Sequence, residues 1–139
     1  MPDEIRSFED LKCWQAGREF RLFIAKEILP LLPREERFRL GDQLLRSARS
    51  ITANIAEGYG RFHYLDNSKF CGIARGSTYE TLDHLITAYD EGMIPEEALI
   101  TGRKKFEQTK GLLNGYMRYL KRTASPPNTQ PLTPNPAFR

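Results

Sequence analysis

The sequence predicts an all-α protein, an antiparallel up-down-up-down four-helix bundle followed by a disordered, proline-rich C-terminal tail. Three observations carry that expectation. Four long stretches repeat apolar residues at helical spacing. Three short breaks rich in proline or glycine separate them. No alternating run of β-branched residues bounded by turns appears, which argues against strands. Long helices joined by such short loops must reverse direction at each one. The bundle is assigned to residues 1–123 and the tail to residues 124–139.

The first helix is expected from Phe8 to Leu29, with Leu11, Trp14, Leu22, Ala25 and Leu29 on one stripe and Cys13, Phe20 and Ile24 on a second. Pro30-Leu31-Leu32-Pro33 ends it, because two prolines interrupt helical hydrogen bonding. The second helix is expected from Glu35 to Glu57, burying Leu40, Leu44, Ala48, Ile51 and Ile55. Gly58-Tyr59-Gly60 is expected to stop it through a left-handed glycine. The third should begin between Asp66 and Ser68, whose side chains suit an N-cap. Phe70, Ala74, Ser77, Thr81, Leu85 and Ala88 then share a face, with Tyr79, Leu82, Ile86 and Tyr89 in a second sector. The turn Glu91-Gly92-Met93-Ile94-Pro95 precedes a fourth helix to about Arg122, aligned on Leu99, Phe106, Leu113, Met117 and Leu120. From Thr123 onward, five prolines in seventeen residues and almost no charge predict an extended, mostly disordered segment.

At 139 residues the chain suits one domain with a modest core. No apolar run is long enough to span a bilayer, so no membrane partner is expected. The start, Met1-Pro2-Asp3-Glu4, lacks the basic-then-apolar pattern of a secretory signal. Cys13 and Cys71 are too few for a disulfide framework, so reduced thiols and a cytoplasmic location are expected.

The first and third helices carry more apolar surface than one bundle seam uses. Phe20, Ile24, Leu82, Ile86 and Tyr89 are therefore expected to be partly exposed in a lone subunit and covered by copies of itself.

Charge is segregated beneath a net value of +3. Residues 62–102 carry two basic and seven acidic side chains, and residues 103–122 carry seven basic and one acidic. Either neighbouring helices attract each other, or the chain presents two oppositely charged surfaces. On the fourth helix Arg103, Lys104, Lys110, Arg118, Lys121 and Arg122 fall within about one third of the circumference. Such a stripe is either a solvated face or a track for the phosphates of RNA or DNA, bound without sequence preference. Tyr116 and Tyr119 lie near enough to stack on bases.

The second helix carries a polar stripe. Gln43, Ser47, Ser50, Asn54 and Glu57 follow at steps of four and three, beside the apolar face. Serine and asparagine are poor choices mid-helix, because they compete for backbone hydrogen bonds. Ser77 and Glu80 on the third helix, with His84 one turn later, offer matching groups. An arginine, Arg46 for choice, is expected to meet Glu57 or Glu80. The network is either a ligand site or a register-fixing device, and the absence of a nucleophile with a poised base favours the second.

No catalytic residue, cofactor or metal is predicted. A di-iron carboxylate bundle needs two Glu-x-x-His pairs, and neither His63 nor His84 follows a glutamate at that spacing. There is no Cys-x-x-Cys, Gly-rich phosphate loop, nucleophile elbow or zincin motif.

The run QLLRSARSITANIAEGYGR, Gln43 to Arg61, together with FEDLKCWQAG (Phe8 to Gly17) and IARGSTYET (Ile73 to Thr81), resembles the four-helix-bundle proteins encoded in intervening sequences of bacterial 23S rRNA genes. The likeness spans roughly residues 8 to 122. Its specific part is the Ser-Ile-x-x-Asn-Ile-Ala-Glu-Gly phrase from Ser50 to Gly58, and Thr52 stands where the family often has proline. The resemblance implies a cytoplasmic homopentameric ring whose molecular role is mostly unassigned. It also implies a likeness in fold to the accessory protein of diversity-generating retroelements, a basic pentameric barrel that partners a reverse transcriptase and nucleic acid. The function expected is a non-enzymatic oligomeric interaction scaffold. The alternative is a sequence-nonspecific nucleic-acid-binding accessory factor, associated with a reverse transcriptase or rRNA, that uses the basic face of the fourth helix.

Overall fold

A computed structural model describes residues 4–124. They form an antiparallel up-down-up-down bundle of α1 (Lys12–Phe23), α2 (Leu40–Tyr59), α3 (Tyr64–Asp90) and α4 (Glu96–Ala124), and none of the elements is a strand. Each helix packs on its sequence neighbour, and α4 closes the bundle against α1. The tail expected over residues 125–139 lies outside the described residues. Among those described, no helix is long and apolar enough to cross a membrane.

The first expected helix is subdivided. Ser7 opens a 3-10 turn, Phe8–Asp10, by accepting from the Glu9 amide at 2.9 Å. The Asp10 carboxylate returns the favour, accepting from the Arg6 and Ser7 amides. Leu11 is extended (ψ 130°), and only then does α1 begin. A π-helical turn, Ile24–Ile28, and a 3-10 turn, Leu29–Leu31, carry the chain to the prolines. The two stripes do not part into an inner and an outer face as expected: Leu11 is fully buried, Trp14, Leu22 and Leu29 are half-buried and Ala25 is exposed, while Cys13 and the Phe20 and Ile24 expected to be partly exposed are fully buried. Gly17 explains the choice of face. It lies on the buried side, and a Cβ there would stand 2.9 Å from Ile51 Cγ2, so α1 meets α2 on its glycine side.

A separate 3-10 segment, Arg34–Phe38, precedes α2, and the chain breaks at Arg39 (φ −115°, ψ −92°). From Leu40 the predicted face holds, with Leu40, Leu44, Ala48, Ile51 and Ile55 all buried. The stop after α2 works differently from the expectation. Gly60 at the C-cap has φ −78°, and among the described residues the one positive φ is that of Gly92, +77°. Gly58 is buried inside the helix, where its missing Cβ matters: an added one would meet Asn67 Oδ1 at 2.5 Å and the Asn67 carbonyl at 2.9 Å. Thus α3 starts two residues early, at Tyr64, pressed against α2.

The surplus apolar surface also falls elsewhere than expected. Phe20 and Ile24 are fully buried and Leu82 is buried, all within the single chain. Ile86 is half-buried and Tyr89 is 38% exposed. Among the described residues, the exposed large apolar side chains on α3 and α4 are Leu65, Ile73, Tyr79, Tyr89 and Ile100.

Two glycine substitutions separate packing from propensity. Gly58→Ala should lose about 1–3 kcal/mol in denaturant unfolding, because the clash is with backbone. Gly76→Ala, with nothing within 4 Å of its would-be Cβ, should leave a single subunit equally stable or gain up to about 1 kcal/mol.

Candidate functional site

The polar stripe of α2 meets α3 in a hydroxyl seam. The Ser77 hydroxyl donates to Ser50 Oγ at 2.8 Å, and Asn54 Nδ2 donates to the same oxygen at 2.9 Å and to the Ser50 carbonyl at 2.8 Å. One turn along, the Thr81 hydroxyl reaches Ser47 Oγ and the Ser77 carbonyl, each at 2.8 Å. Ser47, Ser77 and Thr81 are buried, so these bonds form away from water, where an unmade partner is costly. Of the predicted network, Ser47, Ser50, Asn54 and Ser77 come together. Thr81 is an additional member; its place on the apolar stripe, one turn from Ser77, was the available signal.

The charged members stand outside the seam. Glu57 is exposed and pairs with Arg61 at 2.9 Å, one turn along. Glu80 is exposed and meets His84 Nε2 at 3.2 Å. Arg46 is exposed and bridges neither carboxylate, and Gln43 is exposed. Helical geometry accounts for this: neighbours at i and i+4 reach each other before a partner across the groove does. Arg21 instead links α1 to α2, its Nη1 donating to Thr52 Oγ1 at 2.6 Å.

A second polar junction lies deeper. Asn67 is fully buried; its Nδ2 donates to the Tyr116 hydroxyl at 2.9 Å, and its Oδ1 accepts from the Cys71 thiol at 3.5 Å. Tyr116 is therefore a core residue, and the expectation that it stacks on bases is corrected. Tyr119, half-buried, stacks on the Tyr116 ring at 6.4 Å. Cys13 and Cys71 are buried free thiols. Burial pushes Cys71 up to about 12, and burial followed by the neighbouring Cys71 pushes Cys13 well up. Among the described residues no group of three His, Cys, Asp or Glu side chains is placed to hold a metal.

On the outer face, Arg103, Lys104, Arg118, Lys121 and Arg122 are exposed along α4. Lys110 is held differently: its ammonium bonds Glu107 Oε1 at 2.8 Å and lies 5.4 Å from the Phe106 ring centre. The hydrogen bond that it donates to Glu107 raises its affinity for the proton, and the same bond offsets its charge toward any other anion. Two side chains of α3 join this surface. Arg75 donates to Asn114 Oδ1 at 2.8 Å, and Tyr79, half exposed, meets Phe106 edge-on at 4.9 Å. Among the described residues no ion pair links α3 to α4, so the acidic and basic segments are not zipped together.

A family model described as 23S rRNA-intervening sequence protein matches residues 9–115. Among solved structures, the chain is similar to a protein of unknown function from the S23 ribosomal protein family of Bacteroides thetaiotaomicron VPI-5482. The two share 24% identity and a TM-score of 0.70, over 76% of this chain and 95% of that one. No curated protein matches.

Thr81→Val should cost about 1–2 kcal/mol by chemical denaturation, since Ser47 Oγ loses a buried partner. Glu57→Ala should leave the midpoint within error, its pair being exposed. Alkaline stability follows from the thiols. Their folded affinity for the proton is raised, so the unfolded chain releases protons first. Stability should hold below the usual thiol range and fall as pH rises from there toward about 12. Cys13→Ser/Cys71→Ala should flatten that slope in melting scans.

Proposed function

The chain belongs to the 23S rRNA-intervening sequence protein family, and on that premise we propose that it is a non-enzymatic helical scaffold of the cytoplasm that assembles with copies of itself. The observation that carries this reading is the outer face of α3. Gly76 lies mid-helix with nothing within 4 Å of its would-be Cβ, beside Ile73, which is 52% exposed. A mid-helix glycine costs about 1 kcal/mol relative to alanine, and the chain's own packing has no use for this one. A helix from another copy would use it, because a glycine lets two backbones approach while Ile73 and Leu65 lose their water. A closed ring satisfies every such face, and the family resemblance favours five copies.

A second reading rests on a separate surface. Five exposed cations on α4, with Arg75 and the half-exposed Tyr79 alongside, suit the phosphates and bases of RNA or DNA. Repetition around a ring would multiply weak contacts. In this role the protein is an accessory factor to a nucleic-acid enzyme or to rRNA, and contacts made to phosphates read no sequence.

Light scattering on eluting protein tests the first reading. The wild type should elute as a multimer, and Gly76→Arg/Ile73→Glu as a helical monomer of equal helix content. A wild-type monomer at high concentration would refute assembly. Mobility shifts across a salt series test the second. Binding should weaken steeply with salt and vanish in Arg118→Glu/Lys121→Glu/Arg122→Glu with the oligomer intact; equal binding by that variant would discard the basic face.

A further inference from the structure

The outer groove between α1 and α2 gathers aromatic and cationic side chains and no acid. It offers about 450 Å³, within the range that holds a small ligand. Phe8 and Trp14 line it with Arg21 and Arg49, over a floor of Thr52, Ala53 and Ala56. The two rings meet edge to face at 5.3 Å and 70°, and each is half-buried. Ala53 and Ala56 put no bulk beside those rings, which leaves room for a flat group to lie against them.

The arginines are prepared for an anion. Arg21 is half-buried, and its Nη1 donates to Thr52 Oγ1 at 2.6 Å. Thr52 is buried, and its hydroxyl donates in turn to the Arg49 carbonyl at 3.4 Å. One hydroxyl therefore ties the Arg21 guanidinium to the turn of α2 that carries Arg49. Among the described residues neither arginine makes an ion pair, and no carboxylate lines the groove. The other N–H groups of Arg21 are left beside the groove without an anion, and partial burial strengthens their attraction for one. Guanidinium forks match the oxygens of a phosphate, and an aromatic wall matches a flat ring. A phosphate and a flat ring on one small molecule make a nucleotide. Two cations suit a single phosphate better than the run of phosphates along a strand. We propose that the Phe8–Trp14 groove binds a free nucleoside monophosphate, its base against the aromatic pair over Ala53 and Ala56 and its phosphate held by Arg21 and Arg49. The site lies on α1 and α2, apart from the α3 and α4 surfaces assigned to assembly and to RNA or DNA, so its failure would leave those readings untouched.

Trp14 is the one tryptophan of the chain, so its fluorescence reports on the groove directly. Adenosine and uridine 5′-monophosphates are titrated into the full chain, alongside adenosine and inorganic phosphate, each of which carries half of the chemistry. The monophosphates should quench Trp14 to saturation, and adenosine and phosphate should bind about tenfold more weakly or worse. Arg49→Glu and Ala53→Glu alter exposed positions on α2 and place a carboxylate where the phosphate or the base would lie. Each should weaken binding by about tenfold or more, with helicity and melting unchanged. No saturable quenching by either monophosphate at millimolar concentration would overturn the proposal. So would equal binding by both variants, or inorganic phosphate binding as tightly as the monophosphates. Tighter binding of a short oligoadenylate, lost in Arg49→Glu, would make a nucleic-acid strand the ligand and overturn it as well.

Discussion

A single buried amide governs how closely the helices approach. Asn67 lies fully inside the bundle on α3, bonds Tyr116 of α4, accepts from the Cys71 thiol, and presses its backbone and side chain against Gly58 of α2. A polar group so placed is tolerable only when its hydrogen bonds are made, and these are made in one alignment of the three helices. Gly58 is the other half of the constraint, since any side chain would push α2 away and open the junction. From this point the α2–α3 seam runs down the bundle through Asn54, Ser50, Ser77, Ser47 and Thr81. Each hydroxyl pair requires the same register that Asn67 requires. An apolar seam alone would tolerate a slip of one helical turn, whereas this one would leave several buried oxygens without donors.

The same topology distributes charge. Antiparallel order puts the start of α4 (Glu96, Glu97) beside the end of α3 (Asp90, Glu91), and the cationic end of α4 (Arg118, Lys121, Arg122) at the opposite pole. Within α4 itself the first turn is acidic and the last turn basic, the arrangement that the helix dipole favours. The outer face of α3 carries the open Gly76 and the exposed Ile73, with Arg75 and Tyr79 leading from it toward α4.

Much of the fold was legible in the sequence. Helix periodicity and proline breaks located four helices, and the buried face of α2 follows its apolar stripe residue by residue. On the first helix two apolar stripes compete, and spacing alone does not show that Phe20 and Ile24 of the second are fully buried beside Leu11 of the first. The decisive signal was Gly17, which marks where a neighbour comes close, and the π turn at Ile24–Ile28 has no sequence signature that spacing reveals. In the polar seam, serine and asparagine at heptad spacing were readable as an inter-helix device, but charged residues were swept in with them. Glu57 and Glu80 find partners one turn away on their own helix, a local competition that a wheel does not weigh. Asn67 escaped notice because a lone asparagine near a helix start reads as a cap. The same ambiguity hid Tyr116, whose hydroxyl resembles a surface group until its partner is known.

Native-state hydrogen exchange, resolved by residue, tests most directly whether the α2–α3 seam holds the bundle together. The account predicts that amides over residues 44–58 and 67–81 exchange slowest, at the free energy of global unfolding, while the ends of α1 and α4 open locally and faster. Slowest exchange in α1 and α4, with the seam opening independently, would contradict it.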